Sequence, residues 1–383
     1  MTTTTATGAA RPRLMRTLNE QLLLEQMRGN GPVSRAELVS VSGLSKPTVA
    51  LTLTNLERDE LVQHAGRRVG GRGRSASLYE IRSDAGFVLG LDVGREFVRG
   101  AVADLAGTVR ARRSQAARSS SGPSRVRELG KLARELLEEA GVGGDGGLLH
   151  TVVGSPGIVE PDGRALELAP NLPGWEKPAV LRDLRRLLGE TTIENDVDAA
   201  AVAERDHGHG RDFSTFAFVS VGTGIGMGLV LNGELHRGAH GAAGEIAFLP
   251  LDDDSLESAA SAAAVVAAAR QAGSLLRSAR AVFAAAAAGD RSAREVVAAE
   301  AAIVARALMA IVAVVDPELV VLGGGIGRAP GFAEAVRARL AELSPIVPEV
   351  RPSALGEDAV VDGCLAVGGD QLWNRILSSR GTA

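Results

Sequence analysis

Two glycine-dense turns and a few acidic positions carry most of the chemistry this sequence could do. The run Val219–Pro250 opens with Gly222-Thr223-Gly224-Ile225-Gly226. Glycines at that density let backbone N–H groups turn toward a phosphate without interference from a Cβ. They would serve the turn of a tight β-hairpin equally well. Gly323-Gly324-Gly325 follows an apolar run and lets a ligand or another backbone come close. Asn195-Asp196 stands after a strand-like segment, where Asp196 is suited to cap the helical run Val197–Glu204. Glu245 closes the first run as a carboxylate in apolar surroundings. His64, His207, His209 and His240 have no Cys or carboxylate at convincing ligand spacing, so no metal site is expected from them.

These residues need a scaffold, and the chain is long enough for one. Its 383 residues allow two or three domains, and 45% hydrophobic with 23% charged residues is ordinary for a globular protein. A single cysteine, Cys364, excludes an intrachain disulfide and a cysteine-built metal site. Met1–Ala10 is Thr-rich and lacks the apolar core of a signal peptide. The alanine-rich stretch Ala259–Ala269 is too short and too weakly apolar to span a bilayer, so a cytoplasmic protein is expected. Charge is uneven. Residues 1–82 hold 12 basic and 7 acidic residues, leaving 30 and 39 for the rest. A basic segment on an acidic body suggests that the N-terminal end alone meets a polyanion.

That segment reads as three helices and a hairpin. Residues 1–12 show no periodicity and are expected to be a disordered tail. Leu14, Leu18, Leu22, Leu23 and Met27 recur at helical spacing, and Gly29-Asn30-Gly31-Pro32 ends that helix. Ser34 with Glu37 forms a capping box for a second helix, whose apolar side is Leu38, Val39 and Val41. Ser42-Gly43 turns the chain. Ser45 caps a third helix with Pro47 in its first turn. Val49, Leu53 and Leu56 share one face of it, leaving Lys46, Thr48, Thr52 and Asn55 to project elsewhere. This is the layout of a helix-turn-helix, with Ser45, Lys46, Pro47, Thr48 and Thr52 toward a major groove and Arg35 toward a phosphate. A wing follows, its tip carrying Arg67, Arg68, Arg72 and Arg74 between glycines. The expected partner is double-stranded operator DNA.

Beyond residue 82 the character changes. Phe87–Gly94 and Phe97–Asp104 read as a strand pair around a turn that starts at Asp92. Helices are expected at 123–140, 176–188 and 196–206, strands at 149–155, 191–194, 216–221 and 319–322, and a long alanine-rich helical region at 256–315. Alternating strands and helices imply α/β layers. The strand pair recurs at Val219–Leu231, suggesting a duplicated lobe with a cleft between the halves.

Six ordered stretches resemble the ROK family of repressors and sugar kinases: LSKPTV in the third helix, LGLDVG at 89–94, NLPGW at 171–175, ENDVDAAAVAE at 194–204, VGTGIGMGLVLNGELHRGAHGAAGE at 221–245 and VVLGGGIG at 320–327. The resemblance covers roughly residues 13–375 and is closer to the repressor branch. It implies an α/β fold in which a winged helix-turn-helix at 13–82 precedes a two-lobed, actin-like (ribonuclease-H-type) body at 83–383. It also implies a homodimer or homotetramer, with the alanine-rich helices as candidate interface. By the same resemblance Asp196 matches the kinases' general base. Asn171, Asn195, Glu245 and Glu257 match sugar-side residues, and carboxylates suit that task because each accepts two hydroxyl hydrogen bonds. Asp92, Gly94, Gly222, Thr223, Gly224, Gly226, Gly323 and Gly324 match the phosphate and adenosine side. Trp175 reads as packing more than as a ligand stack.

Two departures shape the functional reading. The family pattern GEIGH, a zinc-holding cysteine cluster and a CLE-like end is replaced by Gly244-Glu245-Ile246-Ala247-Phe248 and a short loop, so no zinc is expected. The kinase turn Asp-x-Gly-Gly-Thr is replaced by Asp92-Val93-Gly94-Arg95-Glu96, which sets Glu96 where ATP phosphates should approach. The expectation is therefore a non-enzymatic regulator of carbohydrate metabolism, without ATP as cofactor, that senses a sugar or sugar phosphate. The rival is an ATP-dependent sugar kinase with an accessory N-terminal domain.

Overall fold

The computed structural model describes residues 10–69, 75–118, 121–143, 148–160, 163, 165–169, 172–251 and 254–382. The head comprises α1 (Ala10–Asn30), β1 (Val33–Ser34), α2 (Arg35–Ser42), α3 (Lys46–Arg58), β2 (Val62–Val69) and β3 (Ser75–Ile81). Helix α1 starts at Ala10, inside the segment expected to lack structure. The capping box forms as read: Ser34 Oγ accepts from Glu37 N, and Glu37 accepts from Ser34 N at 2.7 Å. Gly43, in the left-handed region at φ 67°, ends α2. Leu38 is buried, but Val41 is 57% exposed and lies outside the core. The wing has three strands in the order β1-β3-β2, because Val33 also pairs with Tyr79.

The body repeats one strand arrangement. The first lobe has β4 (Gly86–Val93), β5 (Phe97–Asp104), β6 (Val109–Ala116), α4 (Gly122–Glu139), β7 (Leu148–Ser155), the short pair β8 (Ile158–Val159) and β9 (Leu166–Glu167), α5 (Pro178–Leu188), β10 (Thr191–Asn195) and α6 (Asp196–His207). The second has β11 (Phe216–Val221), β12 (Ile225–Leu231), β13 (Glu234–Leu235), the short pair β14 (Pro250–Leu251) and β15 (Asp254–Ser255), α7 (Leu256–Ala259), α8 (Ala262–Gln271), α9 (Ala279–Ala287), α10 (Arg291–Val315), β16 (Leu319–Gly323), α11 (Gly324–Gly327), α12 (Phe332–Leu343) and β17 (Glu349–Pro352). The sheets run β10-β7-β4-β5-β6 and β13-β12-β11-β16-β17. In each, an antiparallel meander of three strands continues into two parallel strands. Strands β4 and β16 are buried along their whole length, as strands covered on both faces must be.

The alanine-rich region is four helices rather than one continuous stretch. Ser255, Ser261, Ser278 and Asp290 each accept from a backbone N–H three residues on and start a new helix. Helix α10 is long and apolar enough by length and composition to cross a bilayer, but half of it is buried in the fold. Its Ala301, Val304, Leu308 and Ile311 belong to the second-lobe core.

Helix α13 (Ala359–Thr382) has no counterpart in the elements expected from the sequence. It packs on α6, β4 and β7, and its far end lies against α1. Leu23, Leu24 and Met27 of α1, Leu372, Trp373 and Ile376 of α13, and Val88 of β4 form one buried cluster. Arg28 pairs with Asp370 at 2.7 Å and sits over Trp373. The head is thus built onto the body through a shared core.

Candidate ligand cleft and nucleic-acid interface

Four carboxylates converge between the lobes. Asp92, at the end of β4, is 5% exposed. Arg99 of β5 reaches Asp92 Oδ2 at 3.3 Å and Glu357 at 2.6 Å. Burial nevertheless raises Asp92 to about 6, the Arg99 charge opposing the shift. Asp196 opens α6. Its pKa is raised to about 7, first by burial and then by the charges of Asp92 and Glu245. Glu245 is raised by burial and by Glu257. Gly244 O accepts from Met227 N at 3.1 Å, which pins Glu245 beside β12. Glu257 of α7 lies over the β11–β12 turn, 3.0 Å from where a Cβ on Gly224 would stand.

Such a set has a definite chemical preference. Ionised carboxylates only accept hydrogen bonds, and a protonated Asp196 can donate one. Hydroxyl groups match both states. A phosphate would be repelled by whichever of these carboxylates are ionised.

The glycines divide by task. Gly222 faces the Gly323–Gly325 turn, with a Cβ on it falling 3.4 Å from Gly325 N, and Thr223 is exposed at the tip. The two glycine turns therefore lie against each other. Gly226 differs: a Cβ there would stand 3.0 Å from the Val197 side chain, so its smallness lets α6 lie on β12. Gly323 accommodates the Phe218 ring, 2.1 Å from its missing Cβ, and Gly324 has φ +75°. These three glycines are required by packing and backbone shape.

The turn after Asp92 is held by its carbonyls. Arg125 of α4, 1% exposed, donates to Gly94 O and to Arg95 O. Arg95 and Glu96 project to solvent. Asn195, read as a sugar contact, is the cap of α6: its Oδ1 accepts from Val197 N at 2.9 Å and Asp198 N at 3.0 Å, and its Nδ2 donates to Gly157 O at 3.0 Å. Asn195 holds the N-cap position, and Asp196 Oδ1 shares the Val197 N–H at 2.9 Å. Trp175 is fully buried, its indole N–H donating to Ser155 Oγ at 2.7 Å. Asn171 lies outside the described residues. Phe248, at the family's histidine position, is 57% exposed.

In the head, Ser45 Oγ accepts from Thr48 N at 3.3 Å, leaving Lys46 and Pro47 exposed at the open end of α3. Thr52 does not face outward. It is 5% exposed, and Asn55 is 9% exposed, because the face of α3 turned to the head core includes both. The outward phase is Pro47, Leu51, Thr54 and Arg58 instead, with Leu51 65% exposed. Leu51 is apolar, and residue type alone would turn it inward. The spacing Val49, Thr52, Leu53, Leu56 would have placed it outside. Arg35 lies over the Tyr79 ring. Arg68 is bound to Glu37 at 2.6 Å, so one glutamate serves both the cap and the wing. Glu37 is lowered to about 2, first by its bond from Ser34 N. Arg67 is exposed, and Arg72 and Arg74 lie outside the described residues.

Comparison with known proteins places this geometry. A family model described as the ROK family matches residues 88–368. The chain is 27% identical over 236 residues to the xylose repressor of Bacillus subtilis (strain 168), a match covering 61% of either chain. It is 24% identical over 240 residues to the xylose repressor of Bacillus spizizenii, again covering 61% of each. The chain thus spans less than two thirds of the length of these curated relatives. Among solved structures, a ROK family transcriptional regulator described as a homologue of the E. coli MLC protein superposes with a TM-score of 0.76 at 22% identity, over 96% of this chain and 99% of that one. The ROK hexokinase of Thermus thermophilus gives 0.62 at 28% identity, over 75% of this chain and 99% of that one. The family match spans well over half of the chain and includes Asp92, Asp196, Glu245 and Glu257, so the protein is a member of the ROK family.

Proposed function

We propose that this protein is a sugar-responsive transcriptional repressor of carbohydrate metabolism. The observation that carries this reading is the shared core of α1 and α13, because α13 also packs on α6, the helix that Asp196 opens at the cleft. A ligand that favours one spacing of the lobes moves α6, and with it the helix on which the head rests. Two heads in a homodimer or homotetramer would read two half-sites of an operator. The names of the Bacillus relatives make xylose the first sugar to test. The acidic cleft favours a free sugar over a sugar phosphate. The protein would work in the cytoplasm without zinc or ATP.

The test is a mobility-shift assay with duplex from upstream of the protein's own gene, with and without D-xylose, D-glucose and their phosphates. Specific binding altered by one of them supports the reading. Specific binding that none of them alters removes the sensor role, and no specific binding removes the repressor.

One observation favours a second reading. Asp196, raised to about 7, has the proton affinity wanted of a general base near neutral pH. A sugar kinase is therefore tested directly. Sugar-dependent ATP consumption that Asp196→Asn abolishes would establish that activity.

A further inference from the structure

A second cavity lies against the start of α6, where Asp198 stands two residues on from the cleft residue Asp196. It has a volume of about 420 Å³, within the range of small-molecule sites. The edge strand β10, the start of α6, α5, α13, the residues Glu160 and Gly163, and Arg237 and Gly241 line it. Its polar wall includes Glu160, Arg185, Thr192, Asp198, Arg237 and Gln371.

Asp198 marks the cavity as a built site. Its side chain is 4% exposed and lines the cavity, yet its Oδ1 has no hydrogen-bond partner among the described residues. A buried polar atom of that kind costs free energy unless something pairs with it. The neighbouring groups are already committed. Arg237 holds Glu194 with contacts at 3.1 and 2.5 Å, and Gln371 Oε1 takes hydrogen-bond contacts from His150 and Thr192. Asp198 Oδ1 is therefore a buried acceptor left for a ligand.

Charge narrows the ligand class. The lining carries two guanidiniums, Arg185 and Arg237, and besides Asp198 two carboxylates, Glu160 and Glu194, so no cation is in surplus for a phosphate. Burial raises Asp198 to about 8, leaving it a neutral acid at pH 7 that can both donate and accept. We propose that this cavity is a second ligand site, separate from the interlobe cleft, that binds a small neutral polyhydroxylated molecule such as a free monosaccharide. Gln371 lies two residues before Trp373, so occupancy touches the helix that carries the head.

The test uses the full chain with Asp196→Asn and Glu245→Gln, which disables the cleft. Calorimetry with D-xylose, D-glucose, D-galactose, D-mannose and glycerol is expected to find a remaining site that takes at least one of them. Glu160→Ala with Arg185→Ala, both at solvent-exposed positions, should weaken that site about tenfold or more, with the unfolding midpoint of the variant checking that the loss of the Arg185 bond to Gly163 O has not unfolded it. Glucose 6-phosphate should not occupy it. If no probe binds the cleft-disabled chain, the second site does not exist, even where the unaltered chain binds sugar. Binding untouched by the Glu160→Ala and Arg185→Ala pair also overturns the proposal, because the ligand then sits elsewhere.

Discussion

Gly363 of α13 lies directly against Ala199 of α6. A Cβ on Gly363 would stand 1.7 Å from the Ala199 carbonyl oxygen. No side chain fits there, so the two helices meet backbone to backbone. Gly363→Ala must push α13 off α6 and should cost about 1–3 kcal/mol. Gly369, six residues on, has nothing within 4 Å of its missing Cβ. Gly369→Ala should therefore gain about 0.5–1 kcal/mol from helix propensity alone. Denaturant unfolding of the two variants checks the contrast. Equal effects would mean that the close approach is not maintained in solution.

Asp196 keeps its proton to about pH 7 in the folded chain, whereas an ordinary aspartate loses it near 3.8. The folded state therefore holds more protons than the unfolded state between those values. The stability owed to this group falls as pH rises through that window and stays low above it. Asp196→Asn removes the effect. The variant should differ little from the unaltered protein near pH 4 and gain on it progressively up to about pH 8. Thermal unfolding across that range measures the difference, and a difference that does not depend on pH would refute the shift.

The outward residues of the head should control binding to DNA through charge. Arg35→Ala and Arg67→Ala should each weaken binding to nonspecific duplex and lower the slope of log affinity against log salt by about 0.9 for each phosphate no longer neutralised. Thr52→Ala should leave that slope unchanged, because Thr52 is buried, and should show instead as a modest loss of stability. Fluorescence anisotropy at several salt concentrations separates the two kinds of effect.

Arg125→Met should cost about 3–5 kcal/mol, because the buried guanidinium is a donor to both Gly94 O and Arg95 O and pairs with Glu128. Hydrogen exchange should then speed up at the β4–β5 turn and much less at the β11–β12 turn. Uniform exchange across both lobes would show that Arg125 does not act locally.

Much of the chain was legible from local pattern. The capping box at Ser34 and the cap at Ser45, the strand pairs around Asp92 and Gly222, and the acidic residues Asp196 and Glu245 depend on near neighbours in sequence. Helix α13 was not legible. Gly363, Gly368 and Gly369 oppose helix propensity, and only α6 and β4, packed against the first two, require residues that small. Thr52 was misplaced for a related reason: a polar side chain was assumed to face water.

The sequence by itself determined the order of elements, the basic head, the duplicated lobe and the departures at Phe248 and Glu96, because spacing and residue type are local properties. Only the tertiary structure decided which carboxylates share one space, that Asn195 caps α6 while Asp196 is left for the cleft, and that α1 and α13 share one core. Those outcomes depend on which surfaces are excluded from water together, and residues hundreds of positions apart settle that jointly.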